Sequence, residues 1–369
     1  MTEPAGYASW AAVAAAIKTA ASTDAAAGGP ALNTQIAAAR FDRFLSRVFA
    51  DGAESGWLLK GGTGMLARVP AARATHDVDL AAPPGSLDDA VADLQRRAAK
   101  DLGDHLVFEL TSSRLTGQGD NQPGVQTRRL VFTGRDTATG RKVGDIPVDV
   151  VVEPAPVGDV ETVEPVNRLH LPRPLPTHPY RLFPVVDQVA DKVCAALATN
   201  YPGNRSSSRV KDLVDLVVIA RTQRIELHKL RVAIASKRAL RRLPSFDAFT
   251  VPEGWAVRYR ELAAKTPAVG GLTDAQQAEA LVAELVNPAL SPTTSRRSVW
   301  TPRTRWTDPD QAAVAGPEPP AFPNSSDTAA DDGTVHVRPH LRAGRPVRGH
   351  RRAARSHTDD GPPNDLDSQ

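Results

Sequence analysis

Two short stretches hold the residue types that could do chemistry. The first is Lys60-Gly61-Gly62-Thr63, and the second, a short spacer later, is Asp77-Val78-Asp79. Carboxylates one residue apart on an extended segment point to the same side of the chain. Glycines let a backbone approach a phosphate without a side chain in the way. Carboxylates for Mg²⁺ and a glycine turn for phosphates are the minimal parts of a site that handles a nucleoside triphosphate. An Asp-x-Asp pair alone is as often a solvated strand edge. The glycine turn just before it is what favours Asp77 and Asp79 as metal ligands, with Gly62 and Thr63 cradling phosphate.

A two-metal site asks for a third carboxylate from a neighbouring strand. Asp149 interrupts the apolar run Val148-Asp149-Val150-Val151-Val152, where an unpaired charge is costly. A metal would explain it, as would a role as base for the attacking hydroxyl. The competing reading is strand alternation with Asp149 facing solvent. Asp145 is the runner-up, at the strand entry.

Lys192 stands off the apolar stripe Val186, Val189, Ala190, Val193 and Leu197. It could bind β/γ-phosphates as a point charge, or be an exposed helix lysine. Arg209-Val210-Lys211-Asp212-Leu213-Val214-Asp215 puts Asp212 and Asp215 on one helix face, with Lys211 beside Asp215. Local spacing leaves surface salt bridging and function equally open there. The loop Asn204–Arg209 and the basic stretch Lys229, Arg231, Lys237, Arg238, Arg241 and Arg242 are candidate phosphate or RNA contacts.

The elements that must position these residues divide the chain. In the first half, Thr34–Phe49 has helical apolar spacing, and Trp57-Leu58-Leu59 is a short strand running into the glycines. Val78 and Leu80 frame a second strand. Ser86 caps a helix with Asp88 and Asp89 in its first turn. Val107–Leu110, Arg129–Phe132 and Ile146–Val152 read as strands, and the polar, Gly-rich 112–126 as a loop. The pattern is α+β, a mixed sheet interleaved with helices. After the Pro-rich 165–184 come five helical segments from Val185 to Val286. Past about 290 apolar periodicity stops, and the segment cannot bury enough surface to offset its ordering entropy. The expected division is 1–36 (helix and loop), 37–165 (sheet domain), 166–290 (helical domain) and 291–369 (disordered tail), with Trp300 and Trp306 able to dock back.

Composition excludes several classes. A formal net charge of +3 in 369 residues does not announce a nucleic-acid binder. One cysteine, Cys194, excludes an internal disulfide framework and suits a reducing cytoplasm; in its apolar helix it reads as a buried inert thiol. No basic n-region precedes Glu3, and no apolar run is long enough to span a bilayer, so neither a secretory signal nor a membrane partner is expected.

Three segments together resemble a known family, the nucleotidyltransferase toxins of the AbiEii type, which include the mycobacterial MenT toxins. Lys60–Leu66 with Arg73–Leu80 is similar to its glycine-turn-plus-Asp-x-Asp signature. Asp187–Ala195 is similar to its Asp-x4-Lys-x2-Ala helix, and Arg209–Leu216 to its Arg-x-basic-Asp-x-x-Asp-Leu helix. The similarity covers about residues 38–265. One departure is Gly64, where an extra glycine would loosen the helix start. The resemblance implies a nucleotidyltransferase fold, with metal on Asp77 and Asp79, Lys192 on the triphosphate, and Asp212 as an essential acid beside Lys211 and Arg209. It also implies a growth-arresting toxin that moves a nucleotide from an NTP to RNA, the tRNA 3′ end, blocking translation. A co-encoded winged-helix antitoxin of the AbiEi type is the implied partner. Two rivals stand beside this reading: the same fold acting on a protein or small molecule, and a non-catalytic RNA- or partner-binding module.

Overall fold

The computed structural model describes residues 6–116, 126–198, 207–291 and 297–314, with the backbone of four short strands between 334 and 353. The chain forms two compact units, Met1–Phe322 and Pro323–Gln369.

The first unit opens with α1 (Trp10–Ala26), started by the Ser9 side chain, which accepts from the Ala12 N–H, and α2 (Leu32–Val48). Then come β1 (Leu58–Lys60), α3 (Gly61–Arg68), β2 (Val78–Ala81) and α4 (Leu87–Ala98). The Ser86 Oγ caps α4, accepting from the Asp89 N–H at 3.1 Å. Three strands follow, β3 (Leu106–Thr116), β4 (Gln126–Asp136) and β5 (Lys142–Val152), and then two short ones, β6 (Glu161–Val163) and β7 (Tyr180–Leu182). The seven strands make one mixed sheet in the order β3-β4-β5-β2-β1-β7-β6, with β2 parallel to β5, β1 parallel to β7 and the other pairs antiparallel.

Alternation along the strands sorts this sheet into two faces. Leu59, Val78, Leu80, Leu130, Phe132, Val148 and Val150 pack against Val13, Phe44, Leu45, Val48 and Leu94 of α1, α2 and α4. The residues between them, Lys60, Asp79, Arg129 and Asp149, therefore share the opposite face. That face meets the helical half: α5 (Val185–Leu197), α6 (Val210–Thr222), the two-residue strand β8 (Ile225–Glu226), α7 (Leu227–Leu240), α8 (Ala256–Ala263) and α9 (Ala275–Leu290). These helices close around a second apolar cluster that includes Val189, Val193, Leu216, Ile219, Leu230 and Val282.

Two expectations are corrected. The segment 112–126 is no simple loop: β3 runs to Thr116 and β4 starts at Gln126. Its polar sequence hid the strands because this end of the hairpin packs on no core. The tail also does not begin at 291. β9 (Val299–Thr301) pairs with β8 and with β10 (Arg305–Thr307), and α10 (Pro309–Val314) follows. Trp300 is fully buried, and its indole N–H donates to the Ala220 carbonyl at 2.9 Å. Two tryptophans supply enough apolar area to order a segment that otherwise reads as polar. In the second unit, Thr334–Val337 pairs with His350–Ala353, and His340–Arg342 with Arg345–Val347. Among the described residues no helix is long and apolar enough to cross a membrane.

Candidate active site

Between the sheet and the helical half lies a cleft of about 620 Å³. Its floor is one row of register partners: Lys60 beside Asp79, Asp79 beside Asp149, Asp149 beside Arg129, and Arg129 beside Arg114. All five line the cleft. Arg114 reaches that face through a bulge in β3 between Leu110 and Ser112. Simple alternation from the core residues Leu106 and Phe108 would have turned it to the other side.

Gly61 explains the glycine turn. Its φ is +59°, the left-handed region, and a Cβ there would stand 1.8 Å from an Asp79 carboxylate oxygen. The turn is thus shaped to let Asp79 lie against bare backbone. Gly64 is buried in α3, where a Cβ would stand 3.1 Å from the Leu59 carbonyl. It is a close-packing residue, so the expectation that it loosens the helix start is corrected.

Gly62 and Thr63 are buried and do not line the cleft. The Thr63 hydroxyl donates to the Asp77 carbonyl at 2.7 Å, and Thr75 donates to the Asp77 side chain at 2.9 Å. Their role is to hold Asp77; the backbone facing the cleft is Gly61.

The three acids Asp77, Asp79 and Asp149 sit close enough to perturb one another. Burial, reinforced by the charges of Asp77 and Asp149, pushes the Asp79 carboxyl up to about 6, against the pull of Lys192 and Lys60. Burial also raises Asp149, opposed by Arg129. The Arg129 guanidinium bridges Asp149 and Asp77, 3.3 Å from the latter. Among the described residues no group of three or more acidic, histidine or cysteine side chains is arranged to hold a metal ion. Asp145, the runner-up, is exposed and tied to Lys142 and Thr133.

Opposite the acids stands Lys192 on α5. It is no surface lysine: its ammonium lies 2.6 Å from Asp215 and 3.2 Å from Asp212, all three buried. Burial disfavours its charge, but Asp215 and Asp212 outweigh that and its pKa is raised. Asp215 also takes both arms of Arg73, at 3.0 and 3.2 Å, which ties the segment before Asp77 to α6. The Arg209 Nε lies 2.6 Å from Asp212. Asp212 thus positions Lys192 and Arg209. Lys211 is exposed and outside the cleft lining, and Asp215 pairs with Arg73 and Lys192 instead, so the expected Lys211–Asp215 pairing is corrected.

Sequence reasoning missed a second charged cluster on the cleft's flank. Glu153 pairs with Lys60 and Lys237, and Asp191 pairs with Lys60 at 3.0 Å, Lys237 at 3.2 Å and Arg241 at 3.2 Å. The Lys60 ammonium also lies 4.0 Å from the Phe183 ring centre. Against the cost of burial, Lys60, Lys237 and Arg241 hold Asp191 below the usual carboxylate range. The signal was available, since Glu153 and Asp191 each break an apolar stretch. These pairs, with Lys229 on Asp159 and Arg231 on carbonyls at the end of α9, occupy most of the basic helix. Cys194 is buried, and burial pushes its thiol up to about 12, which fits an inert group. The loop 199–206 lies outside the described residues.

A second cavity, about 470 Å³, lies by Thr63 and Thr75. Its main charged group, Asp42, is taken by Tyr180 at 2.6 Å and Arg168 at 2.9 Å, which leaves it no reactive set.

The profile of one protein family, the nucleotidyl transferase AbiEii toxin of type IV toxin–antitoxin systems, matches residues 43–289. That span contains every side chain of the cleft. Two solved structures are distantly similar. One is MenT4, the nucleotidyltransferase toxin Rv2826c from Mycobacterium tuberculosis H37Rv, at 16% identity and a TM-score of 0.41, covering 76% of this chain and 99% of that one. The other is JHP933 from Helicobacter pylori, at 12% identity and a TM-score of 0.33, covering 68% and 90%. No curated protein sequence matches the chain.

Proposed function

The chain belongs to the AbiEii family of nucleotidyltransferase toxins, and from that premise we propose that its cleft moves a nucleotide from an NTP to an RNA acceptor, the 3′ end of tRNA, in the cytoplasm. The observation that carries this is the meeting of Asp77, Asp79 and Asp149 at one edge of the cleft, facing Lys192. Cations outnumber acids along the lining, seven Lys or Arg to five Asp or Glu, which suits a polyanionic substrate.

The acids fit a divalent cation. Burial and the neighbouring carboxylates raise Asp79 and Asp149, which marks negative charge that Arg129 compensates only in part. Without a closed cage, they suit an ion held by one or two carboxylates and completed by water and substrate phosphates, the habit of Mg²⁺. Asp77, Asp79 and Asp149 would hold it, in one- or two-ion form. Bound there, Mg²⁺ would supply charge neutralisation of the triphosphate and polarisation of the α-phosphorus.

The protein's own residues do the rest. Gly61 keeps the backbone beside Asp79 free of side chain, so the triphosphate can approach. Lys192, held by Asp212 and Asp215, faces the phosphates as a fixed charge. Asp149 takes the proton of the attacking hydroxyl. The new bond joins that oxygen to the α-phosphorus, the α–β bridge breaks, and pyrophosphate leaves. Catalysis here is positioning and charge placement, with no covalent enzyme intermediate. Control would come from a winged-helix antitoxin.

The test is to incubate the protein with total RNA, Mg²⁺ and each α-labelled NTP, then treat with RNase or protease. Label released by RNase supports the RNA acceptor. Label released only by protease moves the acceptor to protein and overturns that part of the reading.

A further inference from the structure

The row of charge on the cleft floor contains two arrangements that a folded sheet ordinarily avoids. Arg114 stands directly opposite Arg129, and Asp149 directly beside Asp79. Like charges in register on neighbouring strands are destabilising. At the acidic end, relief comes from Arg129, whose guanidinium takes one oxygen of Asp149 and one of Asp77. A single guanidinium nitrogen, Nη1, makes both contacts. The Arg129 side chain is 33% exposed, so it has room to leave. Arg114 is exposed on the same side, and no hydrogen bond or ion pair engages it among the described residues.

We propose that Arg129 is a resident counter-ion of the acidic site, that a divalent cation displaces it, and that the released guanidinium turns with Arg114 onto the phosphates of the bound nucleotide. This rests on the metal-dependent reading above. Cation and guanidinium need the same oxygens of Asp77 and Asp149 and carry the same sign, so they exclude each other. Once displaced, Arg129 and Arg114 form an adjacent pair of guanidiniums on the cleft floor, a geometry suited to phosphate oxygens. The β3 bulge has a purpose in this account, since it places Arg114 within the pair.

The experiment is Mn²⁺ binding, followed by electron paramagnetic resonance, to nucleotide-free wild type, Arg129→Met and Asp79→Asn. Removing the internal competitor should tighten Mn²⁺ binding about tenfold in Arg129→Met, a change of about 1.4 kcal/mol, and Mn²⁺ should raise its melting temperature more than that of wild type. The same variant should show a raised KM for NTP. Unchanged or weaker Mn²⁺ binding in Arg129→Met, at a site that Asp79→Asn still removes, overturns the proposal and leaves the metal reading standing. Absence of any Mn²⁺ binding sensitive to Asp79→Asn overturns both. Should the methionine variant not fold, Arg129→Gln, which also removes the charge, is scored in the same way.

Discussion

Asp79→Asn should stabilise the metal-free protein at neutral pH while abolishing activity. In the folded chain the Asp79 carboxyl is pushed up to about 6, from an ordinary 3.8. Its causes are burial and the neighbouring charges of Asp77 and Asp149. The folded state therefore holds this proton to higher pH than the unfolded chain does. Stability from this group is fully present below about 3.8 and is lost as pH rises through about 6. At 1.36 kcal/mol per pH unit, the cost above pH 7 is about 3 kcal/mol; residual solvent screening lowers that to about 2–3 kcal/mol. Asparagine keeps the shape and never ionises. Urea unfolding in EDTA should show the variant more stable than wild type by about 2–3 kcal/mol at pH 8 and equal to it near pH 4. Added Mg²⁺ should close the gap by stabilising the wild type alone. A variant equal to or less stable than wild type at pH 8 would refute the reasoning.

Three further substitutions test other parts of the site. Gly61→Ala combines a left-handed backbone with a Cβ 1.8 Å from Asp79; it should cost at least about 1–2 kcal/mol in a denaturant melt and displace the carboxylate enough to remove transfer. Asp215→Ala leaves Lys192 and Arg73 without their shared acceptor. A loss of about 3–5 kcal/mol is expected, seen as a large drop in melting temperature, and a loss within experimental error would show that the network contributes little. Lys211→Ala, at an exposed position outside the cleft, should change stability by no more than about 0.5 kcal/mol and leave transfer rates at the wild-type level. A large rise in KM for NTP would return Lys211 to the site.

Sheet and helices were legible where apolar spacing was regular. The helices at Ser86 and Val185 announce themselves by a cap and by a stripe, and both start where expected, at Leu87 and Val185. The outer half of the β3–β4 hairpin was not legible, because Thr111 to Thr116 contacts no core and so carries no alternating pattern. Asp79 and Asp149 were readable because each places a charge where a strand wants none, and register puts them side by side. Asp215 was within reach, three residues from Asp212 on the same helix. The Lys60–Glu153–Asp191–Lys237 cluster joins four elements far apart in sequence, and no local spacing encodes that meeting. Thr63 shows the same limit: only the fold brings its hydroxyl within 2.7 Å of the Asp77 carbonyl.

The central claim is that the cleft with Asp77, Asp79 and Asp149 transfers nucleotide to RNA. Its most direct test follows label from each α-labelled NTP into tRNA with Mg²⁺ present, using wild type, Asp77→Ala and Lys211→Ala side by side. The account predicts label at the tRNA 3′ end with wild type and Lys211→Ala, and none with Asp77→Ala. Label that persists in Asp77→Ala, or its absence from tRNA with all four nucleotides, would contradict it.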